Sequence, residues 1–125
     1  MSLNVFAYRR EHPESPPTFL DEEIAPPFNE LAGPETARQL FWGSLALERR
    51  GLRMLPLLHH GEVWAEGAAE LDVLESEATQ ILADLDAICR ETKSRPGVAF
   101  WIQNILEAIQ VARRVTNGVG GVYIG

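Results

Sequence analysis

Disulfides cannot brace this chain, because Cys89 is its only cysteine. A lone thiol fits a reducing compartment. Lysine is equally scarce: Lys93 is the only one, so the remaining basic residues are arginines, and eleven bases against eighteen acids leave a formal charge of -7. Such a field repels phosphate backbones and anionic lipid, which argues against nucleic acid and membrane surfaces as partners. No apolar run approaches the roughly twenty residues that cross a bilayer. The opening Met1-Ser2-Leu3-Asn4-Val5 carries no charged region followed by an apolar stretch. The expected location is therefore cytoplasmic.

What is present is an ordinary globular mixture, with 46% hydrophobic and 23% charged residues in 125. That length suits one domain, 1–125, and a chain of this size buries roughly two-thirds of its unfolded surface without needing a structural metal.

Leu3, Val5 and Ala7 alternate with Asn4, Phe6 and Tyr8, the period-two signature of a strand. From 9 to 33 the character changes to an irregular segment, with prolines at 13, 16, 17, 26 and 27 and the acidic run Asp21-Glu22-Glu23. Proline removes a backbone donor and disfavours helix in its predecessor, so neither helix nor central strand fits here. Phe19, Leu20, Ile24, Phe28 and Leu31 should hold this segment against the body of the protein.

A first helix is expected from Pro34 to Gly51, with Ala37, Leu40, Phe41, Ser44, Leu45 and Leu47 on one face and Trp42 projecting away from it. Leu52 to Leu58 reads as an edge strand or extended connector, since Pro56 interrupts it. The second helix has the clearest periodicity: Leu71, Leu74, Ala78, Ile81, Leu85 and Ile88 recur at alternating intervals of three and four, up to about Thr92. Val98 to about Thr116 forms a third helix whose polar stripe, Gln103, Glu107, Gln110 and Arg114, is narrow. So wide an apolar face must be covered on more than one side. Val119 to Gly125 is a glycine-rich turn into a short strand.

The expected architecture is α+β, three helices packed on a small sheet formed by the N- and C-terminal strands. Two strands are marginal alone, so a third strand or a second copy of the chain should complete the sheet.

Candidate chemistry is sparse. His59 and His60 are adjacent and point different ways, whereas zinc ligation from one helix needs histidines four apart, so neither a metal nor another cofactor is expected. The glycines at 118, 120 and 121 follow a helix C-terminus, whose dipole repels the phosphate that a glycine-rich loop would cradle. Cys89 lies on the apolar stripe beside Asp86 and should be an inert thiol. Arg10-x-x-Pro13-x-x-Pro16 fits a polyproline ligand formally, but so short a pattern arises by chance.

Four residues stand out as binding candidates. Glu48 falls on the apolar face of the first helix, one turn after Ser44, where a cleft would give them a polar floor and a raised Glu48 pKa; the alternative is that Glu48 reaches water or pairs with Arg53. Asn104 sits inside the apolar arc of the third helix and must find partners, in the proline segment or in a neighbouring subunit. Trp42, facing outward, needs cover from either source.

Scarce catalytic groups and these uncovered features point to a non-catalytic protein-binding or assembly module, a homodimer. A basic protein attracted to the acidic residues 21–23 is a further partner. The competing reading is a small enzyme or small-molecule binder, with a pocket between the first and third helices and the proline segment, using Glu48 and a histidine.

Overall fold

The computed structural model describes residues 2–125. The alternating N-terminal segment is strand β1, Ser2–Arg10, with Leu3, Val5 and Ala7 buried on the side that meets the helices. The C-terminal strand β5, Val119–Ile124, lies antiparallel to it, from Val5 opposite Ile124 to Arg10 opposite Val119. The chain ends therefore pair with each other, as the sequence predicts.

Three further strands enlarge this pair to a five-stranded antiparallel sheet. β4, Val63–Glu66, pairs with the far edge of β5 and buries Val63 and Ala65. β2, Thr18–Phe19, and β3, Leu31–Pro34, share the outer edge of β1, opposite Tyr8 and Arg9 and opposite Ser2 and Asn4 respectively. Between them the Leu20 amide donates to the Ala7 carbonyl and the Val5 amide to that of Glu30. The proline-rich segment thus runs along β1 and satisfies an edge that would otherwise be open to pairing. Leu20 and Ile24 pack on the core from this segment.

Four α-helices rather than three pack on one side of the sheet: α1, Leu45–Glu48, α2, Gly67–Ala83, α3, Leu85–Thr92, and α4, Val98–Arg113. The second expected helix is divided at Asp84, where φ -117 and ψ 24 leave the helical region. Arg50 holds the break, donating to Asp84 Oδ2 at 2.6 Å and to Glu91 Oε2 at 2.7 Å. The change of direction brings α3 against α1.

The first expected helix is mostly absent. Arg38–Trp42 is one π-helical turn, Gly43 follows, and only Leu45–Glu48 is α-helical. Gly43 is there because the His59 ring lies against it; a Cβ at 43 would stand 2.4 Å from the ring. This break turns Trp42 inward and leaves Leu40 and Leu45 exposed. Leu55–His59 forms a 3-10 helix, so the region expected as an edge strand or extended connector is neither there, and β4 follows it.

Helix α4 is the central element, burying Val98, Ile102, Ile105, Ala108, Ile109, Val111 and Ala112. β1, β3, β5 and α2 all pack on it, so its broad apolar face is covered within one chain. No helix among the described residues is long and apolar enough to cross a membrane.

Candidate functional site

The four sequence candidates do not form one site. Trp42 lies opposite to its expected orientation: it is 0% exposed, and its indole N–H donates to the Ala32 carbonyl at 3.1 Å. Phe41 and Trp101 meet it edge-on and tilted, with ring centroids 4.9 and 6.4 Å away. Projection onto an ideal helix fails here because the backbone at 38–42 is not α-helical.

Asn104 is 1% exposed. Its Oδ1 accepts from the Asn29 amide at 3.0 Å, while its Nδ2 donates to Asn29 Oδ1 at 3.0 Å and to the Leu31 carbonyl at 2.8 Å. A buried amide with this set of partners ties the proline-rich segment to α4 and has neither donor free for a ligand.

Ser44, Glu48, His59 and His60 do converge, with Pro56 and Leu57, on a shallow cleft of about 240 Å³. It lies between α1 and the 3-10 helix, away from α4 and the proline segment. Glu48 is exposed, so its carboxylate is hydrated rather than held in a dry floor. A nucleophilic serine needs a base within hydrogen-bonding reach. Ser44 Oγ is buried without a hydrogen-bond partner, and the His59 ring is occupied by stacking on His60, with centroids 3.9 Å apart. Nothing here activates the hydroxyl. Among the described residues no group of three His, Cys, Asp or Glu side chains could hold a metal.

The surface with the most organised chemistry lies on the other side of the molecule. The α-helices that pack directly on the sheet, α2 and α4, cover the face carrying Leu3, Val5 and Ala7, so residues pointing the other way from β1, β4 and β5 meet neither of them. Strand alternation places Phe6, Tyr8 and Arg10, then Trp64 and Glu66, then Gly121 and Tyr123, on that open face. Phe19 joins them from β2. Five aromatic rings make a continuous patch: centroids are 5.5 Å apart for Phe6 and Phe19, 6.4 Å for Tyr8 and Phe19, 5.4 Å for Tyr8 and Trp64, and 4.5 Å for Trp64 and Tyr123. Phe19 remains 45% and Trp64 39% exposed, Phe6 and Tyr123 are half-buried, and Tyr8 lies wholly buried beneath them at 0%.

The rings are held by carboxylates. Glu66 Oε1 accepts from Tyr8 OH at 2.9 Å and from Arg10 Nε at 2.7 Å. Glu62 accepts from the Trp64 indole at 3.0 Å through Oε1 and from Tyr123 OH at 2.8 Å through Oε2. The Arg10 guanidinium lies over both Tyr8 and Trp64, 5.4 and 5.5 Å from their centroids, where the ring quadrupole attracts it. Tyr8 can lie flat only because residue 121 is glycine; a Cβ there would stand 2.3 Å from the phenol ring. Side chains fixed in this way lose little entropy on contact with a partner.

These contacts shift the acidities. Burial, reinforced by the hydrogen bond to Glu66, pushes the Tyr8 phenol well above its ordinary range. Burial and Glu62 push Tyr123 in the same direction. Hydrogen bonds from Trp64 and Tyr123 hold the Glu62 carboxyl below the usual carboxylate range. The two phenols therefore contribute stability that is fully present below the unfolded phenol value of about 10 and is lost as pH rises beyond it. Glu62 contributes above the unfolded carboxyl value, and its contribution is lost as pH falls through the lower folded one. Because Tyr8 and Tyr123 are the chain's two tyrosines, tyrosinate absorbance is expected to stay low while the native circular dichroism persists and to rise only as the fold is lost. A rise centred near pH 10 in protein that is still folded would contradict these contacts.

Sequence reasoning placed Phe6 and Tyr8 on one side of a strand but did not extend the face. The signal was present in Glu62-x-Trp64-x-Glu66 and Gly121-x-Tyr123, two period-two patterns whose alternate residues carry the site. No protein-family model, curated protein or solved structure matches this chain.

Proposed function

We propose that the chain is a non-catalytic protein-binding module whose contact surface is the open aromatic face of the sheet. The observation that carries this reading is the exposed Phe19 and Trp64 rings, adjoined by half-buried Phe6 and Tyr123 over the buried Tyr8, on the face of the sheet turned away from α2 and α4. Scattered exposed leucines are ordinary, whereas fixed, adjoining aromatic rings with polar edges are characteristic of contact surfaces.

Charge favours a basic protein over a second copy of the chain. The features that suggested a homodimer are satisfied internally: the sheet has five strands, α4 is covered and Trp42 is buried. Self-association through the open face would also bring together two chains of formal charge -7. The acidic residues Asp21, Glu22 and Glu23 lie two to four residues after Phe19 and are exposed beside the face, so a basic partner would be steered towards it.

Selection of a displayed random-peptide library on the wild-type chain, with counter-selection on a Phe19→Ser, Trp64→Ser variant, tests the reading. Both side chains also pack on neighbouring rings, so the double substitution is expected to cost about 2 to 4 kcal/mol of stability, and circular dichroism first establishes that the variant is folded. The expected result is a set of arginine- and lysine-rich peptides that bind wild type at least tenfold more tightly, roughly 1.4 kcal/mol. Peptides that bind the folded variant equally well would overturn the proposal.

A further inference from the structure

The open face contains one chemical arrangement twice, about Trp64. In the first, Tyr8 and Trp64 present their rings, Glu66 accepts the Tyr8 hydroxyl, and the Arg10 guanidinium lies over both rings with Glu66 as its counter-ion. In the second, Trp64 and Tyr123 present their rings and Glu62 accepts the Tyr123 hydroxyl. Glu62 and Glu66 stand at equivalent positions on either side of Trp64. They differ in one respect: Glu66 is paired with a cation, whereas Glu62 forms no salt bridge among the described residues and is bound only by neutral donors.

Arg38 lies close enough to act on Glu62 and Tyr123 through space, but it makes no salt bridge with Glu62. Its guanidinium is committed to Glu35 and to the carbonyls of Leu58 and Gly61. Glu62 and Tyr123 instead line a broad cleft of about 480 Å³, shared with Arg38, His59, His60 and Gly125. The cleft is open to solvent, so an incoming side chain can reach the carboxylate along the ring edges.

Building on the binding-face reading above, we infer that Trp64, Tyr123 and Glu62 form a seat for an arginine side chain of a basic protein partner. The chain's own Arg10 supplies the template. A planar guanidinium can stack on the indole or phenol while directing N–H donors to a carboxylate, as an ammonium without such a plane cannot. Two aromatic faces with an acidic edge also differ from the enclosing aromatic cage that recognises quaternary ammonium groups. A carboxylate held ionised and aimed by two donors is pre-organised for such a contact.

The test follows the indole N–H resonances by two-dimensional NMR while a blocked hexapeptide containing two arginines is added, with the same peptide carrying leucines or glutamates as controls. Trp64 is expected to shift with saturation. The buried Trp42 indole, donating to Ala32, should remain still and serves as the internal reference. Glu62→Gln retains an oxygen to accept the Trp64 indole and is expected to weaken arginine-peptide binding roughly threefold to fivefold. On wild type, raising ionic strength from about 0.05 to about 0.5 M should weaken it comparably, because this contact is solvent-exposed.

No movement of the Trp64 resonance, equal movement with the leucine peptide, or undiminished binding by Glu62→Gln would overturn the seat. Tetramethylammonium binding more tightly than the arginine peptide would overturn the choice of guanidinium. If library-selected peptides still bind the face while Glu62→Gln is without effect, the seat alone fails. If no peptide depends on Phe19 and Trp64, the underlying reading fails as well.

Discussion

Replacing Glu77 with alanine is expected to destabilise the fold by about 3 to 5 kcal/mol, comparable to removing one partner of a buried charge pair. Glu77 is 7% exposed in the middle of α2 and has no salt-bridge partner among the described residues. Its carboxylate instead accepts the amides of Arg53, Met54 and Leu55 at 2.9, 3.0 and 2.9 Å. These amides begin the 3-10 helix Leu55–His59, so their positive ends converge on one anion. Alanine would leave all three without an acceptor in a position where water has limited access, and hydrogen bonds to a charged group contribute roughly 1.5 to 3 kcal/mol each. Glu77→Gln should also destabilise, because an amide offers one acceptor oxygen and turns an N–H group towards the remaining donors. Chemical denaturation checks both: the midpoints should fall in the order wild type, glutamine, alanine. An alanine variant within about 1 kcal/mol of wild type would refute this account of the segment.

Trp42→Ala should have a similar effect, about 3 to 5 kcal/mol, by opening a cavity beside Phe41 and Trp101. Trp42→Phe separates the two contributions. It retains most of the ring contact but leaves the buried Ala32 carbonyl without its donor, which costs about 1 to 3 kcal/mol. If Trp42 were the outward residue that helical projection predicts, Trp42→Ala would alter stability by no more than about 0.5 kcal/mol. Tryptophan emission offers a second readout, since loss of the shielded Trp42 should remove the most blue-shifted component.

The parts of the fold that the sequence made legible are those in which a simple period persists. β1 shows strict alternation and α4 a broad apolar arc, and both lie where their patterns predict; the regular stripe from Leu71 is helical as predicted but breaks at Asp84 into α2 and α3. Asn104 was also readable, because an amide within an apolar arc has to bond something, and the proline segment was the nearest supplier of backbone groups. Residues 34–51 were misread because their composition suits a helix. The controlling contacts are distant in sequence: the His59 ring against Gly43 and the Ala32 carbonyl that draws Trp42 inward. Glu77 escaped notice because a polar residue on a helix is normally solvated; only the folded position of residues 53–55 gives it a buried role. β4 is four residues long and lies between Gly61 and Gly67, too short for its alternation to stand out.

The open face was hidden for a related reason. Its aromatic residues come from positions 6, 8, 19, 64 and 123, and only strand pairing brings them together. Their polar edges are satisfied by Glu62 and Glu66, so the face is stable when exposed and can still contribute apolar area to a complex. Aromatic side chains with few rotatable bonds are effective anchors in interfaces for this reason.

The most direct measurement is a backbone and indole chemical-shift map of the intact chain with the tightest-binding selected peptide. The predicted result is a contiguous set of perturbed residues centred on Phe6, Phe19, Trp64 and Tyr123, extending to Asp21 and Glu62, with α4 unaffected. A map centred on Leu40, Leu45 and Leu57, or on the cleft beside Ser44 and Glu48, would contradict the account and move the binding surface to the helical side.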